Sequence, residues 1–518
     1  MPCRRRRALS CFAVLCGLLA MTCMVAPVAA QSLITFESLQ EQLTEQAERI
    51  AELEALQSEA MLNYDAAAFK DVQLLSDGLE QPSPIPVPDS NSQIPISQIP
   101  ASEYSSSQIQ TTQIPASQFL ESPSTESLRQ TTGRLHLDYW AFPADSPGIN
   151  QIETGDPRDP PKDRFELRRI RVGVRGSVPP QNVTYQLDLE FAGVDQIGIR
   201  DAWIGLDELP LLDTIRIGNQ KRPYGLDQLN SSNFTVFAER ALMLEAVNDL
   251  NRRVGIQSFG VSEGEWLNWR YGAFNMQPID ETGFVSSNSY QVELAGRLAT
   301  TLRRNCSECR YLHLGVSTSF GFPNEEVSQT TAVYRSRPES RSVSRWLDTG
   351  RIGGVTASQL LGFESVWNYG ALQVGGEYLN VWLNRGSEAD LHFQGGYVYV
   401  SLFLTGEHMR WNRKMGIVDR IEPNQDWDVG RRRRHAGFGA WQIAIRGSVA
   451  DLNDHDIMGG KGESITTALN WYWNAHSRMQ INYVIGEVQD RERATGVGTT
   501  ELLSGNYQII GTRFMVDY

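Results

Sequence analysis

Beyond Gly133 the chain lacks any apolar run long enough to cross a bilayer as a helix, which takes about 20 such residues. A bundle of membrane helices is thereby excluded for the larger part of the sequence. Lysine is scarce: five of the 47 basic residues, so positive charge is carried almost wholly by arginine. Of six cysteines, Cys3, Cys11, Cys16 and Cys23 lie in the first stretch, leaving Cys306 and Cys309. No second pair exists to complete tetrahedral zinc ligation. The two lie in a turn-like stretch, Arg304 to Arg310, where a local disulfide is the favoured reading for an exported chain and free thiols are the alternative. Catalytic signatures are missing too. No HExxH or GxSxG motif occurs, and the seven histidines are scattered. Asp454 and Asp456 belong to a polar loop without the ligand spacing of a known calcium loop. No enzyme, metal site or cofactor is expected, and nothing points to nucleic acid.

What is present begins with a leader. Arg4 to Arg7, the apolar stretch Ala8 to Val25, and Val28-Ala29-Ala30 read as a secretory signal over residues 1–30. Its removal takes away four arginines and moves the formal charge from −14 to −18. Most of that charge is local: residues 31–130 carry three basic and fifteen acidic side chains, which leaves −6 for everything after them. A low overall isoelectric point therefore says little about the rest of the chain.

Within residues 31–75, Phe36, Leu39, Leu43, Ile50 and Leu53 follow a heptad seam, and a short periplasmic coiled coil is the expectation. Four heptads with glutamines in the seam are marginal alone. Copies held together by an assembly of the rest of the chain would meet at high local concentration. Residues 76–132 form a Pro/Ser/Gln-rich linker, with Gln93-Ile94-Pro95, Gln98-Ile99-Pro100 and Gln113-Ile114-Pro115 as imperfect repeats. Prolines so spaced favour extended segments, a semi-rigid spacer.

From Gly133 to Tyr518 the pattern is dyad alternation in segments of roughly ten residues, as in Tyr185-Gln186-Leu187-Asp188-Leu189-Glu190-Phe191 and Phe514-Met515-Val516-Asp517-Tyr518. Runs begin near residues 133, 164, 183, 196, 213, 252, 266, 288, 310, 357, 371, 392, 438, 462, 477 and 505. That makes sixteen, an even number as a closed up-and-down barrel requires. The predicted fold is an all-β, 16-stranded antiparallel transmembrane barrel preceded by the short helical coiled coil.

One segment breaks the alternation. After Ile215-Arg216-Ile217-Gly218, Pro223 removes a ladder donor and Gly225 is free to turn, and alternation resumes only at Val254. A loop of that length is usually functional or disordered. Gly218 to Leu226, Ser231-Ser232, Phe237, Glu239-Arg240-Ala241 and Arg252 to Gly255 together resemble the signature of the phosphate-selective porin O and P family. Further matches are Arg168 to Gly173, Glu190 to Gly193, Asp201 to Gly205, Gly439 to Gln442 and Asp451 to Asp454. The resemblance implies a homotrimeric porin embedded in outer-membrane lipid. It also implies sixteen strands per barrel, an inward-folded loop at 219–251 narrowing each pore, and selectivity for small anions such as phosphate.

Anion selection needs positive charge facing the lumen. If Ile170, Val172 and Val174 face lipid, Arg169, Arg171 and Arg175 form an inward ladder on one strand. The long loop adds Lys221, Arg222, Arg240, Arg252 and Arg253, each of which has a bland alternative in pairing with lumen acids. Arg431 to Arg434 are expected in an external loop, gathering anions at the mouth or pairing with lipopolysaccharide. The rival readings are a weakly selective pore whose main role is to tether the membrane to the cell wall through the N-terminal arm, and a barrel enzyme. The second lacks a recognisable nucleophile and base.

Overall fold

A computed structural model describes residues 129–518 apart from the short segments 179–181, 193–196, 211, 249–251, 280–290, 304–308, 324–331, 429–436 and 497–498. The leader, the heptad arm and the linker lie outside the described residues. So do Cys306, and with it the pairing to Cys309, and the basic run Arg431 to Arg434.

Alternation becomes a closed wall of sixteen antiparallel strands. In order they are β1 (Arg129–Asp145), β2 (Arg164–Val178), β3 (Val183–Glu190), β4 (Gly198–Leu209), β5 (Asp213–Lys221), β6 (Arg252–Val261), β7 (Leu267–Asn275), β8 (Val292–Arg303) and β9 (Arg310–Phe322). After a two-residue hairpin, β10 (Arg335–Ser336) with β11 (Leu347–Asp348), come β12 (Val355–Tyr369), β13 (Leu372–Arg385) and β14 (Leu391–Phe403). A second small hairpin, β15 (Trp411–Asn412) with β16 (Ile417–Val418), precedes β17 (Ala440–Asp454), β18 (Ile457–Asn474), β19 (Ser477–Gly496) and β20 (Thr499–Asp517). Strands starting at Arg164, Val183, Asp213, Arg252, Arg310 and Ser477 begin where the alternating runs do. The ring closes where β1 pairs with β20, Arg134 opposite Asp517. No wall strand is left with a free edge, which a lipid environment demands.

The alternation decides which way each side chain points. Ile204, Ile217, Phe363 and Val398 are exposed on the outside, while the intervening residues turn inward. Trp441, Trp471, Trp473 and Phe514 touch one another on the rim near the C-terminus, where amphipathic rings suit a membrane interface.

Three long connections send described residues into the interior. Residues 222–248 turn into the barrel and carry α2 (Leu226–Leu229) and α3 (Leu242–Val247), numbered after α1 (Pro147–Glu153) in the β1–β2 connection. Met243 and Leu244 of α3 are fully buried, and α3 packs on β14 and β17 across the lumen. Residues 332–354 of the next long connection fold in beside them, with Trp346 and Leu347 buried in the same apolar cluster. Glu339 of that connection receives Arg446 of β17 at 2.5 Å and the hydroxyl of Thr466.

The third connection, 404–439, comes from the other end. Phe403 pairs beside the β12–β13 turn and Ala440 opposite Tyr472, so it starts and finishes at the end of the barrel that holds the start of β1 and the C-terminus. β14 is the twelfth wall strand, and an even-numbered strand must finish where the chain entered. Its hairpin reaches inward: Arg297 donates to the Gly416 carbonyl at 2.9 Å, and Asn268 to those of Arg413 and Lys414 at 2.8 Å. With the lumen beneath β12–β20 occupied, the open space runs along β1–β7.

Candidate functional site: an arginine-lined channel

That open space is a cavity of about 670 Å³. Thirteen arginines and one lysine border it, against six carboxylates. The excess is positive in a chain whose formal charge is −14.

The wall of the channel owes its density of arginine to an irregularity in β2. Register places His136 opposite Arg169 but Leu137 opposite Leu167, so Arg168 is an extra residue with no partner on β1. Such a bulge flips the phase of alternation. Phe165 and Leu167 face out below it and Val172 faces out above it, while Arg168, Arg169 and Arg171 all turn inward. A strict period of two assigns Arg168 to lipid. The signal was nonetheless in the sequence, because the outward apolar positions 167 and 170 are three apart rather than two.

The inward arginines differ in what they hold. Arg168 grips Glu239 through two bonds, 2.7 and 3.0 Å, and Glu239 is also held by Arg513 at 2.6 Å. Burial by itself raises the Glu239 carboxyl, but Arg168 and Arg513 overcome it and hold the group well below the ordinary carboxylate range. Arg171 is bound to Glu190 at 2.5 Å and Arg252 to Asp201 at 2.6 Å. Arg240 lies 3.8 Å from Asp227, and Arg175, nearer the end with the C-terminus, donates to Gln130 at 3.0 Å. Three arginines of the 323–354 connection join the far end of the channel. Arg341 reaches Glu166 at 2.9 Å, while Arg345 and Arg337 share Glu245 at 2.6 and 3.6 Å. Crowding among these cations acts together with burial, which lowers the Arg337 guanidinium to about 10 with Arg341 beside it.

Arg169 of β2 is held by none of these acids. It is 9 % exposed, borders the cavity, and makes no ion pair or side-chain hydrogen bond among the described residues. Across the β1–β2 pair the fully buried ring of His136 also has neither nitrogen partnered.

Of the residues singled out from sequence, Arg169, Arg171, Arg175, Lys221, Arg240 and Arg252 therefore border one space, and Arg222 and Arg253 do not. Arg222 is turned toward Glu293 at 2.9 Å, and Arg253 donates to the Met276 carbonyl at 2.8 Å. Lys221 points its ammonium at the carbonyls of Gln228, Leu229 and Asn230 at 2.8, 3.0 and 2.9 Å, so its three donors close the end of α2. The opposite end of α2 is held by Glu377 of β13, which accepts from the amides of Leu226 and Asp227 at 2.6 and 2.7 Å and from the Tyr397 hydroxyl at 2.6 Å. The inward-turned α2 is thus fastened from both walls.

A family model described as phosphate-selective porin O and P matches residues 130–518, the whole of the barrel. The chain belongs to that family. A relative from Caulobacter vibrioides, an uncharacterized protein, is 27% identical over 369 residues, 68% of each chain. Among solved structures, the anion-selective porin from Comamonas acidovorans has 12% identity and a TM-score of 0.46, over 75% of this chain and 100% of that one. The trimer form of OmpT from Vibrio cholerae has 10% identity and a TM-score of 0.44, over 75% and 99%. Membership makes the barrel an outer-membrane porin, a channel rather than an enzyme. Arg134, Arg168, Arg200, Arg216, Arg270, Arg337, Arg341 and Arg345 also border this cavity and were not among the pore residues expected from the sequence.

Proposed function

We propose that the barrel is a passive pore for small hydrophilic solutes that prefers anions, with phosphate among those it passes. One observation carries this: fourteen cationic against six anionic side chains border the channel. A narrow passage with low-dielectric walls focuses that excess, raising the local concentration of anions and repelling cations. Arginine suits the task because its forked donors match phosphate and carboxylate oxygens and its charge is weakly hydrated. The carboxylates that neutralise Arg168, Arg171 and Arg252 keep each step shallow, so an anion is attracted without being trapped.

The test is the reversal potential of the purified protein in a planar bilayer under a potassium chloride gradient. It is expected on the anion side, and phosphate added to one side is expected to reduce the chloride current. A cation-sided potential with no effect of phosphate would reduce the protein to a general pore. We propose further that three copies assemble, with outer-membrane lipid around them and the end carrying both termini of the barrel toward the periplasm, where the 31–75 arm would lie. A detergent-solubilised mass of three chains by light scattering is the expected result. A mass of one chain would sink the trimer without touching the selectivity.

A further inference from the structure

Arg216 of β5 lies closer to the end with the C-terminus than Arg169 does, only three residues into its strand. Its guanidinium carbon is 3.8 Å from the centroid of the Trp203 ring and 4.3 Å from that of Phe259. Both rings are buried, at 8 % exposure each, and Trp203 borders the channel. Among the described residues Arg216 makes no ion pair and donates no side-chain hydrogen bond, and its Nε is buried without an acceptor. Arg270 lies 5.5 Å from the Phe259 centroid and also borders the channel, with one Nη donating to the Met415 carbonyl at 2.9 Å.

This differs in kind from the arginines above it. A carboxylate that holds a guanidinium occupies the same N–H donors that a passing anion needs. An aromatic ring holds it by its face and leaves the donor edge free. Arg216 is therefore fixed in place and still has its Nη donors to offer. We infer that Arg216, braced by Trp203 and Phe259, is an anion station of the channel, which takes the paired oxygens of a small oxyanion, a carboxylate or a phosphate, on its free Nη edge. The inference rests on the anion-preferring reading and adds to it a place, a ligand geometry and a residue.

The experiment uses the full chain in planar bilayers, as wild type, Arg216→Gln, Arg216→Lys and Trp203→Leu, with sodium acetate or sodium phosphate added to one side at fixed potassium chloride. Arg216→Gln is expected to raise the half-blocking concentration by roughly fivefold from one side of the membrane and far less from the other. Arg216→Lys should restore the reversal potential but not the block, because an ammonium keeps the charge and loses the fork. Trp203→Leu should weaken the block with the charge intact. Loss of acetate block alone identifies a carboxylate site, and loss of phosphate block alone a phosphate site. Unchanged block in Arg216→Gln, or full restoration of block by Arg216→Lys, overturns the inference. A wild type without anion preference overturns instead the reading on which it rests, so the two failures are told apart.

Discussion

Glu377→Ala is expected to open the pore. Its carboxylate is buried and accepts three bonds: the amides of Leu226 and Asp227 and the hydroxyl of Tyr397. Truncation leaves three donors without an acceptor, at about 1–3 kcal/mol each where they stay buried. The donors can regain partners only by reaching water, and that means the first turn of the 222–251 connection leaving the β13 wall. Nothing in the wall itself depends on Glu377, since the ladder between β12, β13 and β14 is made by backbone groups. The variant should therefore remain a folded barrel while single-channel conductance rises at least about twofold and selectivity falls, because the channel widens beyond the reach of its arginines. Glu377→Gln, whose amide keeps one acceptor and turns a donor on the remaining amide, should fall between the two. Conductance equal to that of wild type, in protein whose heat-modifiable mobility shows a folded barrel, would mean that the apolar contacts of α3 hold the loop alone.

The architecture was open to reading because each wall strand has one face in lipid and one in the lumen, and that condition writes a period of two directly into the sequence. The inward loop left a mark for the same reason, since Pro223 and Gly225 interrupt the period where the chain must leave the ladder. The site was harder to read because selectivity depends on departures from the pattern. Arg168 reaches the channel only through a bulge, and the three-residue gap between Leu167 and Ile170 is a weak signal beside two neighbouring arginines. Lys221 looked like a pore cation from its charge, but the carbonyls at the end of α2 take its donors, and those carbonyls exist only once the loop has folded. The side on which residues 404–439 emerge was available from counting. The run near residue 392 is the twelfth, and parity places its end beside the chain terminus whatever the length of the connection that follows. The bracing of Arg216 needed the fold, because Trp203 and Phe259 lie on separate strands and meet only across the lumen face of β5.

Neighbouring arginines on β2 should separate stability from selectivity. Arg168→Gln removes the two bonds to Glu239 and leaves that nearly buried carboxylate to Arg513, which already holds Asp138 through bonds of 2.7 and 2.6 Å. An orphaned acid of this kind costs roughly 2–3 kcal/mol, so the melting temperature should fall and the loop carrying Glu239 should loosen. Arg169→Gln removes a cation that nothing in the described residues holds. No partner is stranded, a desolvated charge is relieved, and thermal stability should stay level or rise. Conduction should respond in the opposite order of importance. At 5 Å and a water-like dielectric, a unit charge stabilises an anion and repels a cation by about 0.8 kcal/mol each, so its loss shifts their ratio by about 1.6 kcal/mol, roughly fifteenfold. Melting curves and reversal potentials of the two variants, taken on the same preparations, decide the matter. If Arg169→Gln lowers the melting temperature as far as Arg168→Gln and leaves the reversal potential unchanged, Arg169 is part of the wall's structure and the selectivity lies elsewhere. A stable, poorly selective Arg169→Gln would show a protein carrying an unpaired buried charge because passing anions need it.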